Sequence, residues 1–199
     1  MEHLNFAWFS ALYAGANLHG IPLWLSVFAA KYLVIFVVIG LLGLWLWGPE
    51  KHRATLLLAL AATAIAFVIN WLFGIVWYHP RPFELGLGQN YLHHAPNSSF
   101  PSDHATALFT MCFVFFWRDG LKSLTGLLLL VSAFVVSWAR IFLAAHFPFD
   151  ILGAVLVALV SVVIVLLPAT FIEKKVLPAV ERVYRKVFAW FIKNEWVRN

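Results

Sequence analysis

Apolar runs of about 20 residues recur along this chain, the length an α-helix needs to cross a bilayer. Of 199 residues, 63% are hydrophobic and only 12% charged, far from the make-up of an ordinary soluble domain. Lipid offers no partner to an open backbone amide, so a spanning chain is either helical or a closed barrel, and long unbroken runs select helices. The fold class read from the sequence is an all-α membrane protein with five transmembrane helices and amphipathic interfacial helices at the N- and C-termini. No polar linker divides the chain, so residues 1–199 read as a single integral membrane domain.

Residues 1–22 form an aromatic interfacial segment, in which Phe6, Trp8, Phe9 and Tyr13 suit a helix lying at the membrane surface until Pro22 ends it. Glu2 stands where a secretory signal would carry basic residues. The transmembrane bundle occupies 24–172, with spans at about Trp24–Trp47, Ala54–Tyr78, His104–Trp117, Leu121–Phe142 and Phe147–Ile172. The third is short for a crossing, so its N-terminus is expected in a recess below the membrane surface. The segment from His79 to Asp103 is rich in Pro, Gly, Asn, Ser and His and reads as a loop. Residues 173–199 place Val176, Val180, Val183, Val187 and Phe191 at helical spacing among lysines and arginines, a basic amphipathic tail for an anionic membrane surface. The lone cysteine, Cys112, lies in an apolar run, where it reads as a small buried hydrophobe.

Orientation follows from the basic residues. Eleven of the fourteen lie in the 48–53 turn, the 118–122 turn and the tail, whereas the opposite side carries only Arg81 and Arg140. The tail is therefore expected in the cytoplasm, and the 79–103 loop and the 140–150 connection outside. This distribution explains the net charge of +5 without nucleic acid.

The outward side collects the polar residues that a membrane protein avoids unless they serve it. Three clusters are expected to meet there: YHPRPFE at 78–84, FPSDHA at 100–105 and ARIFLAAHFPFD at 139–150. Arg81 and Arg140 carry the fork geometry that suits phosphoryl oxygens. Ser102 or Asp103 is placed to cap the third span, whose first amides face the loop as an anion site. His146 precedes Asp150 by four residues, which puts both on one face if the fifth span begins there. A carboxylate on one ring nitrogen sets the tautomer and frees the other as nucleophile, and His104 is placed as general acid and base.

RPF at 81–83, PSDH at 101–104 and the run Arg140, His146, Asp150 resemble the three motifs of the type 2 phosphatidic acid phosphatase superfamily. Within it, WYHPRPF, YLHHA, FPSDH and the WVRN ending resemble the bacterial undecaprenyl-diphosphatases linked to bacitracin resistance. The resemblance extends over nearly the whole chain. It implies a phosphatase that needs no metal or cofactor and forms a phosphohistidine. His146 would be the nucleophile, Asp150 its orienting partner and His104 the acid/base, with Arg81, Ser102 and Arg140 on the phosphate and the Asp103 amide beside them. The implied activity is dephosphorylation of undecaprenyl diphosphate to undecaprenyl phosphate. It would take place at the outer face of a bacterial cytoplasmic membrane, recycling a cell-wall lipid carrier.

The sequence departs from the family pattern at three places. Gly74 stands where the first motif has a lysine, Asp103 replaces a glycine, and Ala139 replaces a serine. Lys31, inside the first span, is the candidate substitute for the missing lysine, against snorkelling or a pairing with Glu84 or Asp103. His79, Glu84, His93 and His94 read as solvated loop residues, with tuning of the loop or contact with the distal phosphate as the sharper alternative. Asn70 reads as a helix–helix hydrogen bond. Three other readings stay open: a phosphatase or phosphotransferase acting on phosphatidylglycerol phosphate or phosphatidic acid, a zinc hydrolase using His93, His94, His104, His146 and Asp150, and a transporter or inactive lipid-binding relative.

Overall fold

A computed structural model describes residues 2–198, whose regular elements are all helices; among the described residues there is no strand, and residues 77–102 form a loop. In chain order the helices are α1 (Glu2–Leu12), α2 (Gly20–Trp47), α3 (Lys51–Val76), α4 (Asp103–Asp119), α5 (Leu124–Phe142), α6 (Pro148–Leu166), α7 (Leu177–Val187) and α8 (Ala189–Lys193). Four of them, α2, α3, α5 and α6, are long and apolar enough to cross a membrane, which makes this a membrane protein. The fifth expected span, α4, has 17 residues. At 1.5 Å per residue it reaches about 25 Å, less than a typical hydrocarbon core.

The short α4 is also the most enclosed helix. Its residues Ala105, Leu108, Phe109, Cys112 and Phe115 meet Leu129, Ala133 and Val136 of α5 and Ala154 and Ala158 of α6. On its other side, Val114 joins Leu58, Ala59 and Ala62 of α3 and Val162 and Val165 of α6. Alanines recur at these interfaces because small side chains let helix backbones approach when lipid removes the usual hydrophobic drive. The buried hydroxyls of Thr110 and Ser161 return to carbonyls four residues earlier, at 2.7 and 2.8 Å. Asn70 Nδ2 joins α3 to α4 through Asp103 Oδ1 (2.7 Å) and Thr106 Oγ1 (3.1 Å), the expected interhelical bond.

Four local readings are corrected. Pro22 does not end the N-terminal helix: α1 stops at Leu12, and Pro22 lies in the first turn of α2, where a missing amide hydrogen costs little. The helix that begins at Gly20 makes a π-helical turn at Phe28–Tyr32, which periodicity does not reveal. The last span ends at Leu166, ahead of Pro168, not at Ile172. The tail is not one helix: a π-helical turn at Ile172–Val176 leads into α7, and α8 follows after a break at Phe188.

Candidate active site

Three chain segments form the site, two delivered by helix ends and the third by the 77–102 loop. α5 finishes in a Schellman-type turn: the Ala144 amide bonds the Ile141 carbonyl (3.0 Å) and the Ala145 amide the Arg140 carbonyl (2.9 Å). Ala144 sits at the left-handed position of that turn, φ 59°, where glycine is the usual residue. The turn reverses the chain within four residues and sets His146 just ahead of α6. Phe147 is the N-cap and Pro148 the first helical residue, as proline's fixed φ favours. Asp150 closes the turn from within: Oδ2 accepts the Phe147 amide at 2.8 Å, and the Asp150 amide reaches the Phe147 carbonyl at 3.1 Å. His146 is therefore outside the helix and still meets Asp150, with Nδ1 3.4 Å from Oδ2.

The second segment is the start of α4. The Ser102 amide donates to the Asp150 carbonyl at 3.3 Å, which joins the FPSDH loop to the HFPFD turn. Phe100 lies across Gly153: a methyl there would be 2.2 Å from the Phe100 ring, so only glycine admits this seat. Ser102 is the N-cap by backbone position, yet its hydroxyl does not cap the helix and, though buried, has no partner among the described residues. The Asp103 carboxylate does not cap the helix either: Oδ1 accepts Asn70 Nδ2 of α3 at 2.7 Å, while the Asp103 amide stays in the first turn of α4.

The third segment brings Arg81. Nε and Nη2 donate to Asn97 Oδ1 at 3.0 and 2.8 Å, Nη2 reaches the Ser98 carbonyl, and Nη1 donates to the Ala145 carbonyl at 2.7 Å. Nη1 is also 3.3 Å from His146 Nε2. A guanidinium only donates, so Nε2 is the accepting nitrogen and the ring proton belongs on Nδ1, toward Asp150. Burial holds the His146 imidazole far below the ordinary histidine range, to about 3, with Arg140 and Arg81 acting in the same direction and Asp150 opposing. The ring is thus neutral at physiological pH, with its free lone pair on the arginine side. Burial lowers the Arg81 pKa as well, and the charges of Asp150 and Glu84 offset part of that.

Arg140 is 3% exposed and donates from Nη1 to the Ala30 carbonyl in the π-helical turn of α2 (3.3 Å); its Nε has no partner among the described residues. His104, the second residue of α4, is half-buried and within electrostatic reach of Arg140, Arg81 and His94. Two guanidinium ions, a buried hydroxyl without a partner among the described residues and a neutral imidazole make the site rich in donors, with Arg140 Nε and Ser102 Oγ still unserved. The group that satisfies them is an anion rich in oxygens, such as a phosphoryl group.

Lys31 is exposed; its Nζ lies 5.8 Å from the ring of its neighbour Tyr32, and it forms no ion pair with Glu84 or Asp103 among the described residues. Gly74, at the position of the missing lysine, borders a cleft of about 420 Å³ lined by Asn70, Asn97, Ser98, Phe100 and Asp103. Asn97 and Ser98, which bond Arg81, form the wall between that cleft and the site.

Several loop residues are not the solvated side chains expected. His79 Nδ1 is 2.7 Å from Ser99 Oγ and 3.4 Å from Asp150 Oδ1. Glu84 accepts the Arg81 amide at 2.9 Å and the Tyr78 hydroxyl, holding the loop at the arginine. His94 is half-buried, its amide clasped by Asn90 Oδ1 at 2.8 Å, and burial lowers its pKa; His93 is exposed, as expected. Asn97 and Ser99 went unremarked in the sequence, where only their closeness to PSDH marks them. Among the described residues no three or more His, Cys, Asp or Glu side chains are grouped to hold a metal ion, so the donors named for zinc do not converge as ligands.

The N-terminal segment is part of this surroundings. Asn5 is 5% exposed, and its Oδ1 accepts the Phe149 amide at 3.0 Å, in the first turn of α6. Phe6 and Phe9 contact the Phe147 ring with centroids at 5.4 and 5.3 Å, and Trp8 meets Phe149 at 5.7 Å. An interfacial helix was expected there; the helix found presses one face onto the turn that carries His146.

Known proteins resemble this chain in fold and in sequence. In solved structures, the crystal structure of Aquifex aeolicus LpxE superposes with a TM-score of 0.66, covering 82% of this chain and 94% of that one at 23% identity, a likeness of fold. YbjG of Escherichia coli (strain K12), provisionally named an undecaprenyl-diphosphatase, is 34% identical over the full length of both chains. Undecaprenyl-diphosphatase BcrC of Bacillus subtilis (strain 168) is 28% identical over 79% of this chain and 80% of its own. Residues 53–171 match the PAP2 superfamily, a stretch that begins at the foot of α3 and takes in Arg81, Ser102, His104, Arg140, His146 and Asp150. With more than half its length matched, and a relative aligned from end to end, the chain belongs to the PAP2 superfamily.

Proposed function

We propose that this protein is an undecaprenyl-diphosphate phosphatase that works through a phosphohistidine at the outer face of the bacterial cytoplasmic membrane. The observation that carries the reading is the buried line Arg81–His146–Asp150, bordered by donors on Ser102 and Arg140 that lack an acceptor. The names of YbjG and BcrC support the choice of lipid. The basic tail and turns support the outward site, through the rule that positive charge stays in the cytoplasm.

The terminal phosphoryl group of the lipid diphosphate enters among Arg81, Arg140, Ser102 and the first amides of α4. Arg81 Nη1 passes from His146 Nε2 to a phosphoryl oxygen, which releases the lone pair. Nε2 then attacks phosphorus in line. The P–Nε2 bond forms, the bridging P–O bond breaks, and the electron pair leaves with the lipid monophosphate, protonated where required by His104. The phosphorylated ring is cationic and keeps its Nδ1 proton toward Asp150, whose charge stabilises it. In the second step water attacks the same phosphorus and gives its proton to His104. The P–N bond breaks, and inorganic phosphate and a neutral His146 result. Through both steps the guanidinium ions and amides bear on the equatorial oxygens, where charge accumulates. Lys31 is assigned to the diphosphate from the rim, in place of the lysine absent at Gly74.

The test is phosphate release by purified protein from undecaprenyl diphosphate, diacylglycerol diphosphate and phosphatidic acid, with and without EDTA. The expected result is preference for undecaprenyl diphosphate, indifference to EDTA and an acid-labile phosphoenzyme. His146→Ala loses turnover and label together, by a factor on the order of 10⁴ or more. Lys31→Met raises KM for the diphosphate. Full turnover by His146→Ala sinks the mechanism, preference for phosphatidic acid sinks the substrate, and an unchanged KM in Lys31→Met removes that residue.

A further inference from the structure

Asp150 lies between two imidazoles, and the mechanism above uses only one. His146 Nδ1 is 3.4 Å from Oδ2, and His79 Nδ1 is 3.4 Å from Oδ1. Asp150 is wholly buried, and its two oxygens are not equally served. Oδ2 also accepts the Phe147 amide, whereas Oδ1 has no well-formed hydrogen bond among the described residues. A buried carboxylate oxygen left without a donor is costly, so the group set against it matters.

His79 is held for this position. Its amide donates to Ser98 Oγ (3.2 Å), its carbonyl accepts the Ser99 amide (2.7 Å), and its ring packs between Trp77 and Phe147 with centroids at 5.3 and 5.6 Å. The tautomer follows from its neighbours. Ser99 Oγ–H is directed at the Pro80 carbonyl (3.4 Å), which leaves a lone pair facing His79 Nδ1 at 2.7 Å. Asp150 Oδ1 can only accept, so the tautomer with the proton on Nδ1 is the one that serves it, with Ser99 Oγ as the second acceptor. A carboxylate anchored by Oδ1 on one side and by the Phe147 amide on the other has little freedom to rotate. Oδ2 is thereby kept on His146.

We propose that His79 is a positioning residue for the reaction: its Nδ1–H anchors Asp150 Oδ1, so that Oδ2 holds His146 in the tautomer and bearing that present Nε2 to phosphorus. The inference rests on the assignment of His146 as nucleophile. A role in loop packing alone would make shape matter and the donor not.

The experiment compares three substitutions for kcat, KM, thermal stability and the rate of phosphoenzyme formation on undecaprenyl diphosphate. His79→Asn places an N–H close to the native Nδ1, His79→Gln places one near Nε2, and His79→Leu supplies bulk without a donor. The expected kcat loss is roughly 10- to 100-fold for Leu, the range found when a residue that orients a reacting group is removed. KM stays within about twofold, since substrate binding is not the function lost. Asn restores kcat to within about fivefold of wild type, and Gln falls nearer to Leu. Should His79→Leu fail to fold, the order of Asn over Gln carries the same decision. Wild-type kcat in Leu, equal losses in all three, or a loss confined to KM overturns the proposal. Turnover by His146→Ala would instead overturn the reading beneath it, so the two failures are distinguishable.

Discussion

The two ends of the chain carry similar sequence signatures and do different work. Residues 1–22 and the tail from Glu173 are both aromatic and amphipathic, and both read as helices resting on a membrane surface. In the structure a buried polar side chain ties each of them to the bundle, Asn5 to the start of α6 and Arg53 at the start of α3 to the tail. At the N-terminus the fastener is Asn5, which holds the first turn of α6 beside His146 and Asp150. At the other end it is Arg53, 1% exposed, which donates from Nη2 to the Arg198 carbonyl (3.0 Å) and from Nε toward the Trp45 carbonyl, with Glu181 at 3.8 Å. The Tyr184 ring lies 4.7 Å from that guanidinium, and its hydroxyl donates to the same Arg198 carbonyl. Trp47 Nε1 donates to the Trp196 carbonyl at 2.7 Å, and the Arg198 amide to the Leu46 carbonyl at 2.9 Å. One fastener reaches the proposed chemistry, and the other closes the base of the bundle. Amphipathicity alone does not distinguish them; the polar residue on the inner face and what it meets do.

The strongest way to break this contrast is at Arg53. Arg53→Met leaves Glu181 with Arg185 alone, at 4.0 Å, and the Arg198 carbonyl with the Tyr184 hydroxyl alone. Removing one member of a buried pair costs about 3–5 kcal/mol, so a large fall in Tm is expected, with kcat of the folded protein unchanged. Thermal unfolding and turnover measured on the same detergent-purified sample check this. A kcat that fell while Tm held would mean that the base communicates with the site after all.

A matched pair of smaller defects sharpens the comparison. A methyl at Gly153 would be 2.2 Å from the Phe100 ring, near the site, and one at Gly126 would be 2.6 Å from the Phe116 ring, at the start of α5. Overpacking of this kind costs roughly 1–3 kcal/mol at either place. Gly153→Ala displaces Phe100 and with it Pro101 and Ser102, so kcat is expected to fall along with Tm. Gly126→Ala is expected to lower Tm alone. Equal effects on kcat would show that the site responds to stability in general and not to the seat of Phe100.

The uneven response of the two ends to sequence reading has a physical basis. Four of the five expected spans were legible because apolar length is a property of consecutive residues. Arg81, His104, Arg140, His146 and Asp150 were legible because a membrane protein keeps such side chains only at a cost. Asn5, Asn97, Ser99 and the anchoring position of His79 were not. Their partners are the Phe149 amide, Arg81, His79 and Asp150, which lie up to 144 residues away along the chain, and no periodicity encodes such pairings. Asp103 misled for the opposite reason. Its place at a helix start made it a cap in sequence, but Asn70 on the neighbouring helix offered the better donor. The break between α7 and α8 was hidden as well, since the apolar spacing of the tail continues through Phe188.

The finest separation of the two ends comes from Asn5 itself. Its side-chain oxygen takes an amide in the first turn of α6, the turn whose third residue is Asp150. Asn5→Leu keeps the volume and removes the acceptor. Loss of a capping oxygen costs about 1 kcal/mol, less than either defect above. The same loss lets the start of α6 relax, and on the proposed mechanism the Asp150 carboxylate moves with it. A reduction of kcat of about tenfold is expected, equivalent to the 1.4 kcal/mol that a change in transition-state hold of this size represents, with KM little altered. Asn5→Asp keeps an oxygen at the same place and adds a negative charge at a helix N-terminus, where it is favoured, so its kcat is expected close to wild type. If Leu and Asp variants turn over alike, α1 is a surface helix that merely happens to touch the site, and the contrast between the two ends reduces to one of packing.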